Sequence, residues 1–233
     1  MAEVHFDFIA SNYEGMYQRM GWPDPKMCAK MVHKFIKKNE MNPSEVSVLD
    51  YACGTGLVGQ YLSEYGCTKI DGLDLSANML EQASNKCVYR YLTQHTLGED
   101  PDALPQRFKN QHDFVTCSGL INNNHQDYLI FEEMLLSCKK GGYVIFAARY
   151  SMMGKYWYDN IIKEMADQGR WTLVATETFF KYDEIPEISI GRYSKTPCKV
   201  FVFKNGQDEI NTYVNAFNIK MKQFLLNKFK SGS

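Results

Sequence analysis

The chain has 233 residues, 45% of them hydrophobic and 23% charged, with a formal net charge of −1. That length supports one ordinary domain with a sizeable core, and acids and bases scattered in short groups give no basic field, so nucleic acid is not an expected partner. No stretch approaches the roughly 20 apolar residues that span a bilayer, and "MAEVHFDFIASNYE" lacks the basic start of an export signal, so a cytoplasmic protein with no membrane partner is expected.

Residues 1–40 are expected to be a helical cap. Within them Met27, Cys28, Met31, Val32, Phe35 and Ile36 recur at helical spacing, predicting an amphipathic helix over 25–39 that stops before "NEMNPSE". The core, 41–205, then alternates strand and helix. "VSVLDYA" reads as a strand; Leu57, Val58, Tyr61, Leu62 and Tyr65 mark a helix closed by Gly66; "TKIDGLDL" is a second strand; Met79, Leu80 and Ala83 mark a helix. "CVYRYLTQ" is a third strand, followed by a loop carrying Pro101 and Pro105, and "HDFVTCSGL" is a fourth. Ile130, Phe131, Met134, Leu135 and Cys138 predict a helix stopped by Gly141 and Gly142. "YVIFAAR" is apolar on both faces, as a strand covered on both sides must be. A helix over 156–168 and the strands "WTLVATETFF" and "KVFVFK", pairing as an antiparallel hairpin, complete the pattern. The expected fold is α/β: a Rossmann-like, seven-stranded, mostly parallel sheet with helices on both faces.

Beyond the sheet, 206–233 is expected to be an amphipathic helix and tail. Ile210, Tyr213, Val214, Phe217, Met221, Phe224 and Leu225 form a stripe to be buried on the domain itself or, second, in a homodimer, with membrane-surface docking through Lys220, Lys222, Lys228 and Lys230 a distant third. The seven cysteines contain no C-x-x-C pair and sit mostly in apolar runs, so free buried thiols are expected, without disulfides or a zinc site.

Chemistry concentrates at "VLDYACGTGLVG". Gly54, Gly56 and Gly59 have the G-x-G-x-x-G spacing between a strand and a helix, the fingerprint of dinucleotide binding. Asp50 argues against NAD, because a carboxylate four residues before Gly54 would repel a pyrophosphate. A ligand carrying an ammonium and a sulfonium at that place is attracted instead. Asp74, ending the second strand, is placed to reach ribose hydroxyls; Ser76 is placed to cap the next helix, and Leu75 and Met79 offer apolar faces to an adenine. Asp71 reads as an ordinary exposed residue.

"VLDYACGTG", "IDGLDLSANMLEQA", "HDFVTCSGL" and "KKGGYVIFAAR", in that order, resemble the successive motifs of class I S-adenosylmethionine (SAM)-dependent methyltransferases. "YRYLTQHTLGED" and "SNYEGMYQRMGWPDP" are most similar to the methyltransferase-like proteins of the Williams-Beuren-region type. The resemblance implies SAM as cofactor, with Asp50, Gly54 and Gly56 around its methionine part, Asp74 on the ribose, and Leu75 and Met79 flanking the adenine. It also places Thr96, Leu97 and Ser118 in the cofactor set; Thr96 and Leu97 stand where related enzymes usually present an acid to the adenine amine.

Acceptor-side candidates follow the fourth and fifth strands. In "INNNHQD", His125 is a candidate general base or positioning group and Asn122 a candidate orienting group, against the plainer reading of a polar loop capping the next helix. Tyr150 and Tyr156, with Tyr13 and Tyr17 from the N-terminal cap, are candidate walls for a small-molecule substrate. Trp157 suits core packing, and Trp22 either closes the site or serves as a hydrophobic staple. The expected reaction is methyl transfer to a nitrogen or oxygen of a small acceptor by in-line displacement, promoted by alignment and exclusion of water without a metal. A nicotinamide-dependent oxidoreductase is the rival, disfavoured by Asp50 and by the lack of a Tyr-x-x-x-Lys motif; a SAM-binding protein without activity is a third reading.

Overall fold

The computed structural model describes residues 2–98, 100–121, 129–150, 153, 158–182 and 195–206. The predicted stripe from Ile210 to Leu225 lies outside them, as do Asn122, His125, Tyr156 and Trp157. The N-terminal cap comprises α1 (Ala2–Ile9), α2 (Tyr13–Arg19) and α3 (Asp24–Lys38). The core follows with β1 (Ser47–Tyr51), α4 (Leu57–Glu64), β2 (Lys69–Asp74), α5 (Ala77–Ser84) and β3 (Tyr89–Gln94). It continues through β4 (His112–Cys117), α6 (Leu129–Ser137), β5 (Cys138–Arg149), α7 (Tyr158–Asp167), β6 (Trp171–Lys181) and β7 (Thr196–Asn205).

Among the described residues seven strands form one sheet, in the order β3-β2-β1-β4-β5-β7-β6. Pairing is parallel from β3 to β5, while β7 runs antiparallel between β5 and β6. All five residues of β1 are buried, which is why a strand with helices over both faces needs so apolar a sequence. Alternation then sorts the side chains. Leu49, Tyr51, Val115, Cys117, Val144 and Phe146 join Phe131, Met134 and Leu135 of α6 in one core, and Tyr158, Met165 and Trp171 complete it. Val48, Phe114, Tyr143 and Ile145 face Met31, Val32, Phe35 and Ile36 of α3 with Val58 and Leu62 of α4 in the other.

The predicted helix stop at Gly141 and Gly142 is corrected. α6 ends at Ser137 and β5 begins at Cys138, so "KKGG" belongs to the strand. The register explains it: His112 pairs with Cys138 but Phe114 with Tyr143, leaving Lys139–Gly142 as a bulge. Gly142 is required there because a Cβ would lie 2.7 Å from the Asp113 carbonyl oxygen.

Asp71 is likewise not an ordinary exposed residue: it is 3% exposed and accepts from Arg90 at 2.7 Å and from His112 Nε2 at 2.9 Å. Burial raises its pKa, but the hydrogen bonds from His112 and Arg90 outweigh it and hold the carboxyl below its ordinary value. A second buried pair, Glu132 with Arg170, fastens α6 to the start of β6. All seven cysteines are unpaired thiols, with only Cys87 exposed. Among the described residues no helix is long and apolar enough to cross a membrane.

Candidate functional site

The carboxyl ends of β1 and β2 and the turn after β1 form the candidate site, where an open α/β sheet places its ligands. Cys53 N–H donates to the Leu73 carbonyl at 3.0 Å and Gly56 N–H to the Cys53 carbonyl at 2.9 Å, folding the turn tightly back onto β2. Gly54 has φ +55°, and a Cβ built on it meets nothing within 4 Å. Its backbone therefore borders open space.

Asp74 organises this turn as well as facing it. Its Oδ2 accepts Gly54 N–H at 2.8 Å and its Oδ1 accepts Ser76 N–H at 2.9 Å. Burial raises its pKa; the backbone donors at Ser76 and Gly54 oppose that, and Asp7 adds to the rise. Ser76 is the predicted cap: its Oγ accepts Met79 N–H at 3.1 Å. The same hydroxyl donates to Asp7 of α1, which also accepts Asn78 N–H at 3.2 Å. At the other end of α5, Lys86 pairs with Glu14 of α2 at 2.6 Å. The cap thus lies along the helix that carries Met79, itself 2% exposed, while Leu75 is half-buried.

Asp50 is fully buried. Its Oδ2 accepts from the Tyr89 hydroxyl at 2.8 Å and its Oδ1 from Thr116 Oγ1 at 3.0 Å; among the described residues no basic side chain pairs with it. Burial pushes its pKa up to about 7, against the pull of those two hydroxyls and with a further push from Asp74. A carboxylate so placed gains most from a cation brought in by a ligand.

After β3 the backbone is pinned from α6: Glu133, with no exposure, pairs with His95 Nε2 and accepts Gly98 N–H at 2.7 Å. This holds the segment containing Thr96, half-buried, and Leu97, which packs against the α6 core. Ser118, just past β4, is half-buried. The two acids inside the apolar segment "LIFEEMLLS" are the sequence signal for buried pairing, and of them Glu133 gives this support while Glu132 holds Arg170.

Tyr13 and Tyr17 stack at 4.0 Å between centroids, and Tyr17 stacks on Trp22 at 3.9 Å. Burial raises the Tyr13 pKa to about 12; its hydrogen bond with Tyr17 lowers it, and Asp74 and Asp24 raise it further. Asp74 and Asp24 thus both bear on the Tyr13 hydroxyl. Trp22 carries the Lys181 ammonium 4.1 Å from its ring centroid, and Lys181 Nζ lies 2.6 Å from Asp24 Oδ1, tying the cap to the end of β6. Arg149, ending β5, donates to the Tyr182 hydroxyl at 2.7 Å. Tyr150 is 59% exposed, with Lys199 Nζ 4.7 Å from its ring centroid. Among the described residues there is no cluster of His, Cys, Asp or Glu placed to hold a metal ion.

Residues 48–142 match the family described as "Methyltransferase domain". The chain is 34% identical over 107 residues to Methyltransferase-like protein 27 of Homo sapiens, covering 46% of this chain and 42% of that protein. It is 35% identical over 98 residues to an uncharacterized methyltransferase of Schizosaccharomyces pombe, covering 37% and 31%. The matched segment thus spans less than half of either relative. In fold, the chain is similar to a SAM-dependent methyltransferase from Clostridium acetobutylicum, with TM-score 0.57 and 17% identity over 79% of this chain and 93% of that one. A chain from the complex of the Haloferax volcanii Trm112 methyltransferase activator superposes with TM-score 0.65 and 17% identity, over 91% and 100%. Over residues 48–142 the chain is similar to methyltransferase domains, and the match lies on a Rossmann-like, mostly parallel sheet.

Proposed function

We propose that the protein is a SAM-dependent methyltransferase acting on a nitrogen or oxygen of a small-molecule acceptor. The observation that carries this reading is the turn after β1: a glycine bordering open space, set between Asp74 and a buried Asp50 with no basic partner among the described residues. A pyrophosphate would meet repulsion from Asp50, whereas an ammonium there and a ribose diol at Asp74 find complementary acceptors. Asp50, Gly54 and Gly56 would hold the methionine part of the cofactor and Asp74 its ribose. Leu75, Met79, Thr96 and Leu97 would line the adenine, with Ser118 beside them. When bound, the cofactor supplies an activated methyl group on a sulfonium leaving group.

The chain's own residues then have to align the acceptor and keep water out. Tyr13 and Tyr17 suit this task, offering flat apolar faces and hydroxyl handles, with the Tyr13 hydroxyl under the electrostatic influence of Asp74. Tyr150 and Tyr156 are proposed to extend the same wall, His125 to take or position the acceptor's proton, and Asn122 to orient the acceptor. The near-neutral charge supports a small molecule over nucleic acid. The narrower kinship with the Williams-Beuren-region methyltransferase-like proteins rests on "YRYLTQHTLGED" and "SNYEGMYQRMGWPDP".

The test is transfer of label from methyl-labelled SAM to a metabolite extract, to RNA and to native and denatured protein lysates. Label in the metabolite fraction is expected. Label in the macromolecular fractions alone overturns the small-molecule reading, and cofactor binding with no transfer to any fraction favours the inactive SAM-binding protein.

A further inference from the structure

The turn's glycines have a second occupant that their spacing alone does not announce. Tyr89, the first residue of β3, runs beneath them. A Cβ on Gly56 would lie 2.9 Å from Tyr89 Cε2, one on Gly59 2.8 Å from the same atom, and one on Gly72 of β2 3.1 Å from Cδ1. Glycines from two separate segments therefore form a slot for one ring. At the end of the slot the hydroxyl accepts Gly59 N–H at 3.1 Å and donates to Asp50 Oδ2 at 2.8 Å. The Gly59 N–H occupies a lone pair, so the single hydroxyl proton is directed at Asp50.

We infer that Tyr89 is a positioning residue for the cofactor, aiming the Asp50 carboxylate and keeping it ionised for the ammonium of SAM. The inference rests on the SAM reading given above. The titratable groups facing Asp50 are the Tyr89 hydroxyl from β3, Asp74 from the end of β2, and the thiols of Cys28 from α3, Cys53 from the turn and Cys117 from β4. The carboxylate of Asp74 opposes its ionisation, and the hydroxyls of Tyr89 and Thr116 favour it. Losing one of two such donors moves a buried carboxyl upward by about one pH unit.

The sign follows from linkage. The cofactor's ammonium favours ionised Asp50, so affinity is full above the Asp50 pKa of the free protein, about 7, and falls as the pH drops through it. In Tyr89→Phe, which keeps the ring in its slot, that fall moves up by about one unit. Binding of S-adenosylhomocysteine, measured by calorimetry from pH 5.5 to 8.5, should be about fivefold weaker at pH 7 and within about twofold of the parent at pH 8.5. Methylthioadenosine, which has the nucleoside but no ammonium, should bind parent and variant alike at pH 7. Thr116→Val should reproduce the shift from the other carboxylate oxygen. Carboxyl NMR of the ligand-free proteins should show Asp50 titrating higher in both variants. An unchanged pH profile in Tyr89→Phe, or equal weakening of both ligands, overturns the inference while leaving the SAM reading in place. A parent protein that binds neither ligand at any pH overturns the SAM reading instead.

Discussion

Asp74→Asn separates two tasks that one side chain performs. The carboxylate accepts Gly54 N–H at 2.8 Å and Ser76 N–H at 2.9 Å from a position only 8% exposed. Asn keeps the size but has one acceptor oxygen, so its NH2 must face one of those two N–H groups. Losing one hydrogen bond to a charged acceptor costs about 1.5–3 kcal/mol, and at about 2–4 °C per kcal/mol for a chain of this length the Tm should fall by about 3–12 °C. If the same carboxylate also receives the ribose diol, S-adenosylhomocysteine should bind at least tenfold more weakly, about 1.4 kcal/mol. Thermal melts with and without ligand, together with calorimetry, read the two effects separately. A lowered Tm with unchanged affinity would refute the ribose assignment and leave the turn-organising role. Both unchanged would refute the reasoning altogether.

Three further outcomes are expected. Gly54→Ala places a methyl group in open space at positive φ, costing about 1 kcal/mol of stability and weakening the cofactor more than the fold, whereas Gly59→Ala collides with Tyr89 and should lower the Tm markedly; equal melts for the two variants would contradict this. Arg170→Met strands Glu132, 1% exposed, at a cost of about 3–5 kcal/mol, and adding Glu132→Leu should recover most of it in urea unfolding; no recovery would show that the pair matters through something other than the stranded charge. Asp71, with a depressed folded pKa, contributes stability that is present above the unfolded value of about 3.9 and lost as the pH falls through the folded one. Urea midpoints of Asp71→Asn should accordingly lie below the parent's near pH 6 and converge with them as the pH drops below about 4; a gap that stays constant would exclude the ionic contribution.

The central strands β1, β4 and β5 were legible because each carries an apolar run bounded by a turn signal, and because burial on both faces leaves little freedom in composition. The glycine turn, the place of Asp74 at the end of β2 and the Ser76 cap were legible for a related reason: they depend on residues close in sequence. Tyr89 was not, since its partners Gly59 and Asp50 lie 30 and 39 residues away, and only the sheet brings them to one ring. Asp71 was misread for the same reason. Its partner His112 is on β4, 41 residues on, and nothing in "KIDGLD" distinguishes a paired buried acid from a solvated one. Glu133 and His95 belong with these, a contact across 38 residues that local periodicity does not carry.

The slot beneath the turn also limits how this sequence can drift. A side chain at position 59 would meet not only the hydroxyl of Tyr89 but the ring carbons Cζ and Cε2. Trading Tyr for Phe therefore does not make room. Any relative that keeps this turn and carries alanine or a larger residue at the place of Gly59 should carry a side chain shorter than an aromatic ring at the place of Tyr89, and should supply the donor for Asp50 from elsewhere. The two positions can change only in one order: the ring must shrink before the glycine can grow.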